Sequence, residues 1–275
     1  MTTRITRNTI NTDLILKASV LAGIQYGKSE RAAGGDNRET AEKEVQDSGR
    51  PCWTNSLGMK FIRVPGTRVM FSIWLTRVAD YEDYRVASSG VAVQGRRPPA
   101  GGQGKRPVQG LNREEARAFC DWLTLKEREE GRIGMLQLYR LPTDAEWSTA
   151  AGEQDEAGPT PAEKDRGSWD AYCWGREWPP AEGMTYSGDW PQGKDRWTSP
   201  GVGDSKANMF GLYEMDGMVW QWCEDSYYGD GVEGVVRGPS FFCLSESGSV
   251  ASWRLPFDPE LRWFGFRCVL DVGAQ

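Results

Sequence analysis

The rhythm of apolar and polar positions changes several times along the chain. Residues 1–50 begin with a short apolar run and then turn polar through KSERAAGGDNRETAEKEVQDSGRP, a composition that buries too little surface to order by itself. They read as an N-terminal extension, and residues 51–275 as one domain. Two strand-like runs, 59–64 and 69–76, are joined by Pro65-Gly66 and predict a hairpin. Residues 88–107 are rich in Gly, Pro and Arg and predict a surface loop. Its Arg96, Arg97, Lys105 and Arg106 would suit an anion, although a solvated loop is the plainer reading. A helix follows: Asn112 and Glu115 form a capping box, and Ala116, Phe119, Cys120 and Leu123 share one face. Cys120 therefore belongs to the buried side and carries no chemistry. Thr143 and Glu146 repeat the logic, with Trp147, Ala150 and Ala151 inward and Gly152 ending a second short helix. EQDEAGPTPAEKDRG reads as an exposed insertion. Residues 172–222 are dense in Gly, Trp and Pro, which predicts a loop-rich core whose indole N–H groups bond to loop carbonyls. Residues 235–270 have firm ends, Arg237 to Ser240 and Gly265 to Cys268, around a middle with no helix or strand period. Such a segment suits recognition, because binding residues concentrate on loops held by a rigid scaffold.

Composition narrows the function classes. A chain of 275 residues, 39% hydrophobic and with 13 Trp, has ample material for a core. The net charge of −6 argues against a general nucleic-acid binder. No stretch approaches the roughly 20 apolar residues of a membrane span. Asp13 and Lys17 interrupt the N-terminal apolar run, so no signal-peptide core forms and a cytoplasmic, virion-displayed or partner-displayed protein is expected. Histidine is absent, which removes the commonest general base and metal ligand. The six cysteines, Cys52, Cys120, Cys173, Cys223, Cys243 and Cys268, contain no CxxC pair, so a zinc site is disfavoured and free thiols are expected.

Read in order, NSLGMKF, REEARAFCDWLT, YRLPTDAEW, YCWG, ANMFGLYEMDGMVWQWCED and the RG.S…GFRC frame resemble the formylglycine-generating enzyme, or sulfatase-modifying factor, family from about residue 55 to 270. The resemblance implies an α+β, C-type lectin fold, loop-rich, with two helices and small antiparallel sheets. The family's oxidase uses two cysteines five positions apart to bind copper, since paired soft thiolates suit Cu(I). Here Cys243 stands at the first position and Gly248 at the second, which implies a domain without that catalysis. By the same resemblance Cys268 would seek its partner in STAAG, where there is none, and Trp253 stands at another cysteine position. The related sulfoxide synthases need histidine-bound iron and are excluded. Calcium is the cofactor the family admits, although the residues alone establish none. Its loop maps onto Glu214, Gly217, Val219 and Gln221, and a second set onto Asp195 and the carbonyl of Trp197, with Thr185 where the family has Asn. Against calcium stands the simpler role of satisfying loop backbone.

The same domain resembles the variable proteins of diversity-generating retroelements, whose C-terminal surface is altered at adenines of Asn-rich codons. Such changes convert AAC to codons for Phe, Cys, Leu, Ser, Gly and Pro. Those residues fill Phe242, Cys243, Leu244, Ser245, Ser247, Gly248, Ser249, Leu255, Pro256 and Phe257, with Leu261 and Phe264 beyond, and no Asn remains between Arg237 and Arg267. Phe242, Leu244, Phe257, Trp263 and Phe264 would supply apolar anchors, and Ser245, Glu246, Ser247 and Ser249 adaptable polar contacts. Arg254, Asp258, Arg262 and Arg267 read as framework. Truncating Trp263 or Phe257 should then cost binding more than folding. The expectation is a receptor-like variable protein that binds a protein or other macromolecular ligand through about 237–268, without nucleic acid. The alternatives are a copper-dependent oxidase using Cys243, a fixed protein-binding module, or a family member whose surface has drifted.

Overall fold

The computed structural model describes residues 52–88, 104–153, 156–165, 167, 171–180, 201–240, 246–256 and 264–273. The chain opens with three antiparallel strands, β1 (Cys52–Thr54), β2 (Lys60–Arg63) and β3 (Val69–Ser72). Asn55 closes the first turn, its Oδ1 accepting from the N–H groups of Leu57 (3.0 Å) and Met59 (2.8 Å). The β2–β3 hairpin is the one predicted around Pro65-Gly66, and Ile62 faces Phe71 across it. The C-terminal strand β9 (Val269–Asp271) inserts between β3 and β4 (Leu138–Arg140), giving the five-stranded order β1-β2-β3-β9-β4. The last residues of the domain are thus locked against the first.

Four helices are described where two were expected. α2 (Arg113–Glu129) starts at the predicted capping box and buries the predicted face, Ala116, Phe119, Cys120 and Leu123. α3 (Asp144–Ala151) is capped by Thr143 and ends at Gly152, whose φ of 92° lies in the left-handed region that favours glycine. α1 (Val78–Ala87) escapes a periodicity search because it buries only Asp80 and Tyr81, and the Arg77–Asp80 pair, not an apolar stripe, fixes its start. α4 (Pro161–Lys164) lies inside the stretch read as an exposed insertion, with Thr160 as cap and Pro161 opening the turn.

A second sheet runs in the order β7-β6-β5-β8, from β5 (Trp220–Ser226), β6 (Gly234–Arg237), β7 (Arg254–Pro256) and β8 (Phe264–Gly265). Its β5–β8 pair is parallel, with Trp220 opposite Phe264, and departs from the expected antiparallel sheets. Gly265 of the GFRC motif is required by close approach: a Cβ there would meet the Val108 carbonyl oxygen at 2.5 Å. Two apolar clusters flank the sheets. One gathers Phe61, Phe119, Tyr139, Trp222 and Phe266; the other Ile62, Phe71, Trp74, Trp147 and Leu212. Trp222 donates its indole N–H to the Leu111 carbonyl (2.8 Å), as expected for a loop-rich core. Among the described residues no helix is long and apolar enough to cross a membrane.

The five described cysteines are free thiols, as expected. Cys268 has a neighbour, but it is Cys120 of α2 and not the STAAG region: the two buried Sγ atoms stand 3.7 Å apart. Burial pushes the Cys120, Cys173 and Cys223 thiols well up; partial desolvation raises Cys52 too, but that residue is exposed. A maleimide applied to the native protein, followed by peptide mass mapping, should therefore label Cys52 first among these five. Cys120, Cys173, Cys223 and Cys268 should react only after denaturation, and native labelling of any of the four would show that its side of the core opens.

Candidate functional site

The C-terminal segment is framed by three arginines, Arg237, Arg254 and Arg267, each 0% exposed. Arg237, at the end of β6, donates from Nη1 to Asp144 Oδ1 (2.5 Å) and Ser148 Oγ (2.8 Å) and from Nη2 to the Ala251 carbonyl (2.9 Å). Its guanidinium lies over the Trp147 ring, 4.5 Å from the centroid. Arg254 begins β7 and meets the same carboxylate, from Nε to Asp144 Oδ1 (2.8 Å) and from Nη2 to Oδ2 (3.1 Å), while Nη2 also reaches Glu156 Oε2 (2.6 Å). Its backbone N–H donates to Asp165 Oδ1 (2.8 Å). Burial opposes ionisation of Asp144 and Glu156, but the two guanidiniums outweigh it and hold both carboxyls below their usual values. Glu156 and Asp165 come from the supposed insertion, which is therefore a clamp on the segment. Nothing in the sequence pairs them with Arg254, 98 and 89 residues away.

Arg267 anchors the other end. It donates from Nε to Gln221 Oε1 (2.7 Å), from Nη1 to the Ser72 carbonyl (3.1 Å) and from Nη2 to the Tyr213 carbonyl (2.7 Å). The framework reading of Arg254 and Arg267 agrees with these contacts; Asp258 and Arg262 lie outside the described residues.

The proposed contact residues divide. Phe242, Cys243, Leu244, Ser245, Phe257, Leu261 and Trp263 lie outside the described residues, as does the side chain of Ser247. Three others are corrected. Ser249 is 2% exposed, Leu255 5% and Phe264 2%, so they belong to the interior and present no surface. Phe264 is drawn in by the parallel pairing of β8 with β5, which sets its ring 5.1 Å from Trp222. Pro256 is half-buried, and Gly248 is buried in the 3-10 turn Glu246–Gly248.

The loop expected to hold calcium was tested against its donors. Glu214 and Met218 adopt left-handed φ values of 54° and 80°, unusual for residues with a Cβ. Gln221 does not fit a metal ligand: its Oε1 accepts from Trp147 Nε1–H (3.2 Å) and Arg267 Nε–H (2.7 Å), which uses both lone pairs. Its Nε2 donates to the Glu214 carbonyl (3.0 Å), closing the loop by hydrogen bonding alone. Glu214 Oε1 accepts from the Gly203 N–H (2.5 Å) and Ser205 Oγ–H (3.3 Å), whereas Oε2 has no hydrogen-bond partner. Burial pushes this carboxyl up to about 8, so a neutral acid is the favoured form at neutral pH. Gly217 and Val219 are buried within the loop, and Asp195, Trp197 and Thr185 lie outside the described residues. Among the described residues no group of three or more His, Cys, Asp or Glu could hold a metal ion.

Residues 33–272 match the family model described as the sulfatase-modifying factor enzyme 1-like domain. The chain is 28% identical over 197 residues to "Inactive C-alpha-formylglycine-generating enzyme 2" of Bos taurus, covering 64% of this chain and 56% of that protein. It is 31% identical over 163 residues to the formylglycine-generating enzyme of Thermomonospora curvata, covering 48% and 49%. The chain spans about half the length of these curated relatives. Among solved structures, Treponema denticola variable protein 1 aligns with a TM-score of 0.50 at 19% identity over 80% of this chain and 98% of that one, a likeness of fold.

Two outcomes follow from the frame. Arg254→Ala takes from Glu156 its 2.6 Å partner and leaves Asp144 with Arg237 as its close guanidinium, and should cost about 3–5 kcal/mol in urea unfolding. Because the folded-state pKa values of both acids are depressed, the stabilisation in the parent is present above the usual carboxylate range and lost as pH falls through the folded values. The variant should keep a smaller acid limb, because Arg237 still holds the Asp144 carboxyl down. Second, with Gln221 saturated by Trp147 and Arg267, this loop should add no calcium-dependent rise in melting temperature over EGTA; a rise that persists in Asp195→Ala would mean the loop rearranges around a cation.

Proposed function

As the chain belongs to the sulfatase-modifying factor enzyme 1-like domain family, we propose that it is a non-catalytic member, a variable protein that presents residues of about 237–268 as a diversified binding surface. One observation carries the reading. Gly248 stands in a buried turn where the family's oxidase needs its second thiolate, and glycine offers copper no sulfur. A lone Cys243 thiolate cannot make a linear two-sulfur site. The likeness to an inactive formylglycine-generating paralogue and to the fold of a variable protein supports the same reading.

The frame suits such a role physically. Arg237, Arg254 and Arg267 draw their partners from Asp144, Glu156, Gln221 and backbone carbonyls, none of them among the proposed variable positions. Side chains between the anchors can then change without removing a partner from a buried charge. Residues on such a surface act as anchors and polar contacts for a protein or other macromolecular ligand. Calcium is no part of this reading.

The test is genetic. The DNA flanking the gene should contain a near-copy of the stretch encoding residues 237–268 that differs only at adenines, beside a reverse-transcriptase gene. Its absence would leave a fixed module or an oxidase. Copper titration then decides between those two: Cu(I) bound by the parent but not by Cys243→Ser would restore the catalytic reading.

A further inference from the structure

Beside the C-terminal segment lies an aromatic loop that the binding reading above leaves unused. Tyr172 and Gly175 exchange backbone hydrogen bonds of 2.7 and 3.0 Å, which makes the loop a tight, preset turn. Its Ala171 carbonyl accepts the Ala251 N–H (2.9 Å), tying it to the segment. Trp174 stacks on Tyr172 with centroids 5.0 Å apart and planes 6° from parallel, and Trp178 closes the cluster at 5.5 Å from Tyr172 and 6.0 Å from Trp174. Tyr172 is buried, but Trp174 and Trp178 are only half so. The Tyr172 hydroxyl donates to Oε1 of Glu246 (3.1 Å), a residue otherwise exposed at the start of the 3-10 turn.

Two donors of this cluster, those of Trp174 and Tyr172, are engaged internally. The Trp174 indole N–H donates to the Glu177 carbonyl (2.9 Å), and the Tyr172 hydroxyl proton goes to Glu246. Beside the exposed Arg176 and Glu177 of the turn, the cluster offers outward the π surface of Trp174 and Trp178 and the Glu246 carboxylate. A neutral sugar, which needs donors as well as acceptors, matches this poorly. A group that only donates, is positively charged and lies flat on a ring matches it well, and guanidinium has those properties.

We propose that Trp174 and Glu246 form a fixed docking point for an arginine side chain of a partner protein, the guanidinium stacking on the indole and pairing with the carboxylate. The proposal deepens the binding role above and rests on it for the identity of the partner as a protein. Under the variable-protein reading both residues are fixed parts of the site. Glutamate cannot arise from AAC by changing its adenines, because the third base C encodes Asp and not Glu, and Trp174 lies outside the diversified segment. The protein's net charge of −6 favours a basic partner through the same electrostatics.

The experiment uses the full chain with 15N-labelled tryptophan and records indole resonances while acetyl-Gly-Arg-Gly-amide is added. The Trp174 resonance should shift saturably, with affinity falling as salt is raised. The citrulline counterpart, neutral but of the same shape, should bind about fivefold more weakly, and so should the arginine peptide to Glu246→Gln, the loss expected for one exposed charge pair. Trp174→Ala should abolish the response in the remaining indoles, and the exposed Glu246→Gln variant gives the answer if Trp174→Ala fails to fold. Equal binding of both peptides, a shift of Trp174 by methyl α-mannoside but not by arginine, or no shift at all overturns the proposal. Phe242→Ala and Phe257→Ala should leave peptide binding intact. If they abolish it while Trp174→Ala does not, the cation sits on the variable residues: the docking point falls and the variable-surface reading stands. A missing template copy would have the opposite meaning.

Discussion

Three guanidiniums with no access to water dictate how this domain closes. A buried charge survives only when it is paired and hydrogen-bonded, and here a single carboxylate, Asp144 at the start of α3, serves both Arg237 and Arg254. That requirement fixes β6 and β7 against α3. It also draws Glu156 and Asp165 out of what would otherwise be a surface insertion, and it places the Trp147 ring under Arg237. Arg267 does the same at the far end, tying β3, the Tyr213 loop and β5 into one unit. The apolar clusters supply the bulk of the burial, but the arginines determine which loops lie beside one another.

The Gln221 site illustrates how one side-chain change alters a loop's logic. A carboxylate beside Arg267 would form an ion pair or bind a cation. An amide with the same reach presents an acceptor and two donors, and it bridges Trp147, Arg267 and the Glu214 carbonyl without any net charge. The left-handed backbone at Glu214 and Met218 is held by those bonds and by the Gly203 contact. The loop's shape thus persists on a different physical basis.

Legibility in the sequence followed the range of the interactions. The helices α2 and α3 were readable to within a residue, because capping boxes at Asn112 and Thr143 and the helical spacing of Phe119, Leu123 and Trp147 are local signals. The first hairpin was readable for the same reason. α1 and α4 were missed, since one is fixed by an arginine–aspartate pair and the other is a single turn too short to show a helical period, although its Thr160–Glu163 capping box and Pro161 are local signals. Within the candidate site the arginine framework was legible from the charges at Arg254 and Arg267. The burial of Phe264 was not, because a parallel pairing of β8 with β5 joins residues more than 40 positions apart and leaves no period to detect, and that of Leu255 was not because the three-residue β7 that pairs it with Val236 is too short to show an alternation. The Cys120–Cys268 neighbourhood, 148 positions apart, was hidden in the same way.

The ends of the sheets carry one more consequence. In both sheets the outermost strands are short: three residues in β1, β4 and β7, and two in β8, with Pro256 closing β7. Such borders present too few free backbone groups to recruit a strand from a neighbouring molecule, and proline removes one donor outright. Under the proposed reading, a surface repertoire that includes phenylalanine and leucine would risk self-association through every new variant. Sheet borders too brief to template a fibril would let such a repertoire broaden without aggregation following from the backbone.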